Sequence, residues 1–482
     1  MDGTMDSNGV EEEENDDVRF WRYIKEGNSS FVIGHKKKHI VYQLWKQDAK
    51  DALEKNSRKE ECWAKINYIK NCLQPALGSY SSIPKCISVS PHFIDSVSKA
   101  FESQRPLKRC HQVIDPYQTS VLCSPNFCFL DNIGQKGRST LTIELKPKRG
   151  YILTHHLPSI EIEDQLVCLF CMQQILKRKR GVWDYTSKYC PIDLFSGVPE
   201  RMRHALESLF KTPQNNLCIF KDGEIIYPRE DKSLPSQDDQ EDITMAIQSW
   251  FECEEGSLSS DNTRPHVPHT FSKSACIQDV ISLVIQALCR SDNASTFQEI
   301  TQGSSPWIPC LEGQQHGLNH DEEVSSCRLA KDCVLGRILT MQRMDTHGIH
   351  VIHKVYQRYM EHLSHYPEQK EGLRITDPCL TSCLTTNVKQ RLSDDEISSL
   401  PIQECVSLLN AYMMSRTARD CSILITFKPA DPSSTMDDDM VSLKEQRFHV
   451  ACNLVDLDSK LTTKIPYYHK LEQLISETYS SR

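Results

Sequence analysis

Apolar residues recur along the chain with the two periods that distinguish strands from helices. Over residues 141–146 apolar and polar residues alternate, a period of two that predicts a half-buried strand with Lys146 and Lys148 on the same side. Pro147 between the two lysines is typical of a sheet edge or a bulge. Further strands are predicted at 422–427 and 448–454 and, on either side of the Asp222-Gly223 turn, at 217–220 and 224–227.

A period of 3.6 residues predicts helices elsewhere in the chain. The helical segments are 166–177, a segment from Pro199 to Leu209, 274–290, 328–364 and 394–415. Two polar stretches interrupt this pattern. Residues 228–272, rich in Asp, Glu, Ser and Pro, are interpreted mostly as a loop, with a short helix at 243–251 as the alternative. Residues 291–327 have no period and are interpreted as a flexible insertion.

Length and charge limit the classes of protein that this chain can represent. Its 482 residues predict about two to four domains, at roughly 100–200 residues each. Acidic residues number 65 and basic residues 56, and the stretch 1–17 contains acidic but no basic residues. We therefore expect an acidic, disordered tail at 1–17 and a nearly neutral body, with no nucleic acid as partner. The basic run 177–180 leaves open a nucleic-acid contact or a nuclear localisation signal.

Cysteine usage and hydropathy predict the compartment. The 21 cysteines are odd in number and irregularly spaced, which is typical of reduced thiols. We expect no CxxC pair among them, and therefore no zinc ribbon. The pair Cys379-x3-Cys383, downstream of His362 and His365, is interpreted as two small buried thiols. No apolar run reaches the roughly 18 residues that span a bilayer, and no secretory leader pattern is present. We therefore expect a monomer of the cytoplasm and nucleus without a membrane anchor.

Two groups of cations are candidates for binding phosphate. Lys146 and Lys148 would repel each other on one strand face, which favours a bound polyanion, and a lysine-protected edge strand is the alternative. Lys460, Lys464 and Tyr468 recur every four residues, as on one helical face. A solvated basic face is the alternative for this second group.

Acidic residues supply the complementary charges. Asp456 and Asp458 follow the strand at 448–454 two residues apart, a spacing that would put both carboxylates on one side of a strand. Such a pair can share a hard cation such as Mg²⁺, and two turn-forming aspartates are the alternative. Asp420 precedes the strand at 422–427, where a simple helix-to-strand junction residue is the alternative.

Small residues at 25–30, before an apolar run, are a candidate for a loop over nucleotide phosphates, with an ordinary hairpin turn as the alternative. Together with the lysines and the separated acids, this loop predicts a phosphoryl-transfer site. Such reactions depend mainly on positioning and on charge neutralisation. The lysines exceed what ATP alone requires, which suggests an acceptor that already carries several phosphates.

The chain resembles the inositol-pentakisphosphate 2-kinases in eight segments that occur in the order found in that family. They are Glu26-Gly-Asn28, Arg105-Pro-Leu-Lys-Arg109, Glu144-Leu-Lys-Pro-Lys-Arg-Gly150, Cys171-Met-Gln-Gln-Ile-Leu-Lys177, Ser187-Lys-Tyr-Cys-Pro-Ile-Asp-Leu-Phe-Ser-Gly197, Pro213-Gln-Asn-Asn216, Ala418-Arg-Asp-Cys-Ser-Ile423 and Val455-Asp-Leu-Asp-Ser-Lys460. The third and fifth segments are long and specific to the family.

This resemblance implies an α/β (α+β) fold of two lobes, distantly like the protein kinases. The N-lobe with its sheet would comprise 18–140, and the larger C-lobe 141–482, with the polar insertions at about 228–272 and 291–327. The resemblance also implies ATP and Mg²⁺ as cofactors. The implied activity is phosphorylation of the free 2-hydroxyl of inositol 1,3,4,5,6-pentakisphosphate, which gives inositol hexakisphosphate, or phytate.

The resemblance further implies a role for individual residues. Asp420 would orient or deprotonate the hydroxyl, and Lys146 would neutralise the transferring phosphoryl group. Asp456 would hold Mg²⁺, with Asp458 as a helper. The residues implied to cover the ATP phosphates are Glu26, Gly27 and Asn28, and those implied to bind inositol phosphates are Arg109, Lys148, Lys177, Asn215, Asn216, Lys460, Lys464 and Tyr468.

Four positions depart from the family pattern: Lys25, Gln43, Gln173 and Cys218. Lys25 replaces the glycine that precedes the Glu-Gly-Asn string, and Gln43 takes the place of an arginine that faces ATP in the family. These two changes motivate an alternative function, a degenerate kinase that binds inositol phosphates as a scaffold. ATP-dependent turnover distinguishes the two.

Overall fold

A computed structural model of the chain describes residues 17–48, 58–130, 138–152, 167–228, 239–256, 273–291, 329–366, 392–431, 434, 436–437 and 439–481. The predicted acidic tail, apart from Asp17, lies outside these residues. So does the predicted insertion at 291–327, apart from Ser291, and so do Cys379 and Cys383.

Twelve strands lie within the described residues. They are β1 (Trp21–Glu26), β2 (Ser30–His35), β3 (Ile40–Asp48), β4 (Lys85–Ser88), β5 (Gln112–Ile114), β6 (Ser120–Pro125), β7 (Leu141–Leu145), β8 (Leu217–Lys221), β9 (Glu224–Tyr227), β10 (Ser422–Pro429), β11 (Met440–Leu443) and β12 (Gln446–Val455). The strands predicted beyond residue 140 are thus present, and β8 and β9 form the predicted hairpin.

The helices of the described residues lie mostly between and after these strands. They are α1 (Lys59–Tyr68), α2 (Gln74–Leu77), α3 (Pro91–Phe101), α4 (Leu169–Lys179), α5 (Pro191–Leu194), α6 (Pro199–Lys211), α7 (Asp239–Gly256), α8 (Lys273–Cys289), α9 (Val334–Gln342), α10 (Gly348–His365), α11 (Asp394–Ser399), α12 (Ile402–Asp420) and α13 (Ile465–Ser480). Helices and antiparallel sheets together confirm the α+β class.

The chain divides into two compact units. The first comprises the described residues up to Lys70 together with Ser82–Phe129, and the second comprises Asn71–Ser81 and the described residues from Leu130 onward. The predicted boundary after residue 140 lies close to this division. The assignment of Asn71–Ser81 to the second unit was not predicted.

The first unit is built on a sheet in the order β1-β2-β3-β6-β4, with β5 paired to β3. Helix α3 starts at a strong signal, because Ser90 accepts a hydrogen bond from the Phe93 amide at 3.1 Å and Pro91 occupies the first helical turn. The helix packs Phe93 against Trp21, whose ring centroids lie 5.8 Å apart. Both rings belong to the buried apolar core of the first unit, in which aromatic side chains cover a large area.

The second unit is built on an antiparallel sheet in the order β11-β12-β10-β7-β8-β9. All five residues of β7 are buried, so the prediction of a half-buried strand is wrong. The strand lies in the middle of the sheet, and its polar side chains are satisfied inside the protein. Thr142 and Thr426 share a hydrogen bond of 2.9 Å between their hydroxyls. Lys146 and Lys148 lie beyond the end of the strand, not on an edge strand.

Three helical predictions need correction. Residues 239–256, predicted mostly as a loop, form α7, because Ile243, Ile247 and Trp250 lie one helical turn apart and are fully buried. The segment 328–364 contains two helices, α9 and α10. The segment 394–415 is likewise divided, because Pro401 cannot continue α11 and instead precedes α12.

Two of the sequence segments shared with the kinase family contact each other through a glycine. The Gly150 amide donates a hydrogen bond of 2.8 Å to Gln342 Oε1. The glycine also lies against the buried ring of Phe195, so that a Cβ on Gly150 would lie 2.2 Å from Phe195 Cδ2. Only a residue without a side chain fits between the segment that follows β7 and the one that follows α5.

We expect Gly150→Ala to lower the free energy of unfolding by about 1–3 kcal/mol, the usual cost of overpacking a core. Urea denaturation followed by circular dichroism measures this loss. The double variant Gly150→Ala/Phe195→Leu should recover part of it, because leucine lacks the ring atoms that approach the glycine. An alanine variant as stable as the wild type would contradict the contact.

Candidate functional site

Four strand ends of the second unit meet at one edge of its sheet. Leu145, at the end of β7, pairs with Ile423 of β10 and with Leu217 of β8, while Ser422 of β10 pairs with Val455 of β12. Because adjacent strands are antiparallel, the ends of β7 and β12 lie beside the starts of β10 and β8. The residues just beyond these ends are therefore gathered: Lys146, Lys148, Asn215, Asn216, Asp420 and Asp456.

Lys146 and Asp456 form the first ion pair at this edge. Lys146 Nζ lies 3.1 Å from Asp456 Oδ2, and the Ser422 hydroxyl donates to the same oxygen at 3.0 Å. Both charged side chains stay partly exposed. Such a pair contributes little to stability, since solvent screens it, but it holds a lysine and a carboxylate together at a fixed place.

Asp456 and Asp458 do not lie on a strand. Strand β12 ends at Val455, and Asp456 has a φ of 61°, in the left-handed region, so the strand alternation that predicted a shared side does not extend to them. The Asp458 carbonyl accepts a hydrogen bond of 3.2 Å from the Thr417 hydroxyl. Both aspartates thus lie in the segment that follows the strand.

Asp420 and Lys460 form the second ion pair. Asp420 is the last residue of α12, and its Oδ2 lies 3.2 Å from Lys460 Nζ. Burial alone would raise the pKa of Asp420, but the charges of Arg416, Lys460 and Lys148 outweigh burial and hold that pKa below its usual range. The carboxylate is therefore ionised at neutral pH.

Lys148 is a half-buried cation beside these pairs. The pKa of Lys148 is lowered to about 8; burial is the largest cause, the nearby charge of Asp420 opposes it, and Lys146 and Lys177 act in the same direction as burial. Burial also lowers the pKa of Lys177, on α4. These lysines are less stable as cations than ordinary lysines, and a bound anion would restore their preference for the charged form.

Residues 146–148, here called the lysine loop, carry both lysines and are held by hydrogen bonds to their backbone. Gln342 Nε2 donates to the Lys148 carbonyl at 2.7 Å and to the Ala418 carbonyl at 3.1 Å. The Tyr189 hydroxyl donates to the Pro147 carbonyl at 2.9 Å. Neither Gln342 nor Tyr189 was predicted from the sequence, because nothing in local spacing indicates such long-range bonds.

Arg416 is a further charged residue that was not predicted. It precedes Asp420 by four residues on α12, a spacing that places both on one helical face. Its guanidinium lies 4.2 Å from the centre of the Tyr468 ring, on α13, and contributes to the low pKa of Asp420. Tyr468 is buried, whereas Lys464 is exposed at the start of α13.

The two predicted asparagines differ in environment. Asn215 is exposed, whereas Asn216 is buried, with neither amide oxygen nor amide nitrogen hydrogen-bonded within the described residues. The Asn216 carbonyl accepts a hydrogen bond of 3.0 Å from the Lys146 amide. Asn216 thus supports the start of the lysine loop through its backbone.

In the first unit, Glu26 belongs to a buried triad of charges. Its carboxylate lies 2.6 Å from Lys46 Nζ and 2.9 Å from Arg105 Nη2, and the Glu26 and Lys46 side chains are fully buried. Burial raises the pKa of Glu26, but Arg105 and Lys46 outweigh it and the net pKa is lowered. The Glu26 carboxylate therefore binds Lys46 and Arg105 and does not face solvent.

Gly27 and Asn28 form the turn between β1 and β2. The Gly27 amide donates to the Ser30 carbonyl at 2.8 Å, and the Gly27 carbonyl accepts from Lys46 Nζ at 2.8 Å. The Asn28 amide oxygen accepts a short hydrogen bond from Arg109. Arg109, predicted to bind the inositol phosphate, therefore contacts Asn28, predicted to cover the ATP phosphates, within the first unit.

A lysine lies beside Gln43, one of the four positions that depart from the family pattern. Lys65 of α1 donates a hydrogen bond of 2.9 Å to Gln43 Oε1, on β3. The glutamine at position 43, where the family has an arginine, is thus accompanied by an ammonium group from another element.

Residues 178–180 at the end of α4, which are part of the predicted basic run, are exposed. No helix among the described residues combines the length and the apolar character needed to cross a bilayer.

Comparison with known proteins identifies a family for this arrangement. The model of the inositol-pentakisphosphate 2-kinase family matches residues 23–474. An inositol-pentakisphosphate 2-kinase of Danio rerio is 29% identical over 477 residues, which cover 96% of this chain and 93% of the relative. One of Oryza sativa is 25% identical with 96% and 94% coverage, and one of Arabidopsis thaliana is 24% identical with 86% and 77% coverage.

The low pKa of Lys148 predicts that polyanion binding weakens in mild alkali. Its ammonium is present below about pH 8 and is lost as the pH rises through that value. We expect the affinity for inositol hexakisphosphate, measured by calorimetry, to fall severalfold between about pH 7 and pH 9. Lys148→Arg keeps its charge in this range, so its affinity should change less. Equal changes in both proteins would contradict this assignment.

Proposed function

Because the chain belongs to the inositol-pentakisphosphate 2-kinase family, we propose that it transfers the terminal phosphoryl group of ATP to the 2-hydroxyl of inositol 1,3,4,5,6-pentakisphosphate. The product is inositol hexakisphosphate. The observation that carries this proposal is the gathering of Lys146, Asp420 and Asp456, each paired with an opposite charge, at one edge of the second sheet. Phosphoryl transfer needs this combination of positioned cations and carboxylates.

Asp420 is the proposed partner of the acceptor hydroxyl. Its lowered pKa keeps the carboxylate ionised, so it can accept a hydrogen bond from the hydroxyl and take its proton as the oxygen attacks. Its position at the end of α12, beside the half-buried Arg416, limits its movement. On binding, a substrate phosphate would replace Asp420 as the partner of Lys460, which releases the carboxylate for the hydroxyl.

Lys146 is the proposed cation for the transferring phosphoryl group. Its ammonium already lies beside a carboxylate, so its charge is directed toward this edge of the sheet before any substrate binds. Asp456 and Asp458 are proposed to hold Mg²⁺. Carboxylate oxygens are the ligands that this ion prefers, and the Asp456 side chain is partly exposed, which fits a solvated ion. When bound, Mg²⁺ would neutralise charge on the ATP phosphates.

The substrate phosphates require several cations. We assign Lys148, Lys177, Lys460 and Lys464 of the second unit to this role. Arg109, proposed for the same role, belongs to the first unit, where it contacts Asn28. Burial lowers the pKa of Lys148 and of Lys177, which fits cations that gain their full stability only when an anion is bound. Asn215, Asn216 and Tyr468 are proposed as neutral contacts beside them.

ATP is assigned to the turn between β1 and β2. The Gly27 and Asn28 backbone would approach the phosphates, and Glu26 would act indirectly by holding Lys46 and Arg105. Lys25 and Gln43 remain the basis for the alternative function as a scaffold. The ammonium of Lys65 beside Gln43 favours the kinase, because it supplies a cation near the substituted position.

The cellular setting is proposed from the same features. We propose a monomer that acts in the cytoplasm and the nucleus. The exposed basic residues at 178–180 support a nuclear localisation signal. Fusion of this segment to a fluorescent reporter tests that part of the proposal, with a cytoplasmic reporter as the opposing result.

We expect purified protein with Mg²⁺-ATP to convert inositol 1,3,4,5,6-pentakisphosphate into the hexakisphosphate. Radiolabel transfer and anion-exchange separation measure the product. Lys146→Ala and Asp420→Ala should each lower kcat by about a hundredfold or more, the scale of lost positioning and electrostatic terms. Lys211→Ala, on the exposed end of α6, is the control and should keep wild-type turnover.

Two other outcomes are informative. A wild-type protein that binds the pentakisphosphate tightly but makes no product would favour the scaffold. A wild-type protein that makes product while Lys146→Ala and Asp420→Ala retain full activity would contradict the assigned residues but leave the family activity in place.

A further inference from the structure

Three cysteines of the second unit form a compact cluster away from the ion pairs described above. The sulfur atoms of Cys168, Cys171 and Cys190 all lie within 4.8 Å of one another. Within the described residues, no other group of three metal-ligating side chains from His, Cys, Asp or Glu is this close. Cys168 and Cys190 are buried, and Cys171 is half-buried.

Two helix starts bring these thiols together. Cys168 is the residue that precedes α4, and Cys171 lies in the first turn of that helix. Cys190 is the residue that precedes α5. In the longer helix α4, the amide groups of the first turn have no partners inside the helix and favour negative charge nearby, which suits thiolates at Cys168 and Cys171. Phe170 and Tyr189 pack beside the cluster, with ring centroids 5.6 Å apart.

The spacing of the first two residues is a known metal-ligand spacing. Cys168-Leu-Phe-Cys171 is a CxxC pair, so the expectation that the chain contains none is wrong. The third ligand, Cys190, comes from a separate segment and becomes adjacent only through the fold. Chance packing of three thiols remains the simplest competing explanation, since cysteine is often buried as a small apolar residue.

The distances between the sulfur atoms can be compared with those in a zinc site and in a disulfide. Zinc–sulfur bonds of about 2.3 Å hold tetrahedral sulfur ligands roughly 4 Å apart, which fits within the 4.8 Å limit of the cluster. A disulfide would bring two sulfurs to about 2 Å and leave the third thiol alone. All three thiols are free and lie within this one limit, which favours a shared central ion over one covalent pair.

The burial and the chemistry of the thiols indicate which ion would suit the cluster. A buried thiolate needs a compensating cation. Soft thiolate ligands select zinc over the hard Mg²⁺ ion.

We propose that Cys168, Cys171 and Cys190 bind one zinc ion as three thiolates, with a water molecule as the fourth ligand. Three S–H bonds break, three Zn–S bonds form and three protons leave to solvent. The half-buried position of Cys171 gives water access to the open coordination site.

This ion would position the lysine loop. Tyr189, next to Cys190 in the chain, donates its hydroxyl hydrogen bond to the Pro147 carbonyl, between Lys146 and Lys148. A zinc ion that ties the starts of α4 and α5 together fixes Tyr189, and through it the lysine loop. Zinc would therefore act on this loop through structure, at a distance from the reacting atoms.

The test is the metal content of the untagged full-length chain. After growth with added zinc and dialysis against a weak chelator, we expect about one zinc ion per chain by elemental mass spectrometry, because each chain carries one such cluster. Cys168→Ser, Cys171→Ser and Cys190→Ser should each lose most of it. Cys289→Ser, a half-buried cysteine on α8, is the matched control and should retain zinc.

A second measurement does not depend on the variants folding. Co²⁺ added to the wild-type protein should produce the intense near-ultraviolet absorption of thiolate-to-cobalt charge transfer, and zinc should abolish it. The proposal is overturned if folded wild-type protein takes up neither ion. An intact mass showing a disulfide within the cluster, or equal loss of zinc in Cys289→Ser, would also overturn it. Because the readout is bound metal, failure here leaves the proposed kinase activity untouched.

Discussion

The register of β10 against β7 and β12 is the constraint on which the candidate site depends. These strands come from segments near residues 140, 420 and 450, and only their antiparallel pairing brings Lys146, Asp420 and Asp456 to one edge. A slip of one residue would exchange the two faces of a strand and displace each polar end. The buried hydrogen bond between Thr142 and Thr426 helps to fix the register, because either hydroxyl would lack this partner if the strands shifted.

The charges at this edge balance one another before any substrate is present. Lys146 faces Asp456, and Lys460 faces Asp420. These pairs are partly exposed, so their contribution to the free energy of folding is small. Their importance lies in preorganisation: the cations and carboxylates are held close to where they would act, and a polyanionic substrate would exchange one partner for another.

A buried network of charged and polar side chains holds the end of α12 next to Asp420. The preceding residue, Arg419, lies with its guanidinium 2.5 Å from Asp345 Oδ2 and donates to the Tyr151 hydroxyl at 2.6 Å. Removal of one partner from such a buried pair is costly, because it leaves the other charge uncompensated. The end of α12, and with it the Asp420 carboxylate, is therefore anchored to a rigid part of the second unit.

Sequence patterns predicted where the strands of this site lie more accurately than how deeply their residues are buried. The period-two run of β7 identified the strand, but the same pattern wrongly indicated a half-buried strand, since Thr142 and Glu144 are buried among neighbouring strands and helices. Composition wrongly indicated a loop at α7, because a few charged residues masked the buried stripe of Ile243, Ile247 and Trp250.

Long-range contacts escaped prediction altogether. Gln342 and Tyr189 bind the backbone of the lysine loop from segments that are distant in sequence, and Glu26 is enclosed by Lys46 and Arg105. Charge type and motif resemblance indicated which residues matter. The partners that set their pKa values are a property of the folded chain.

The central claim is that Asp420 and the substrate phosphates share the same cations. Calorimetry of inositol 1,3,4,5,6-pentakisphosphate binding to Asp420→Asn tests it most directly, with turnover measured on the same protein. Loss of the competing carboxylate charge frees Lys460, so the account predicts tighter binding together with lost turnover. Weaker binding with turnover retained would contradict it.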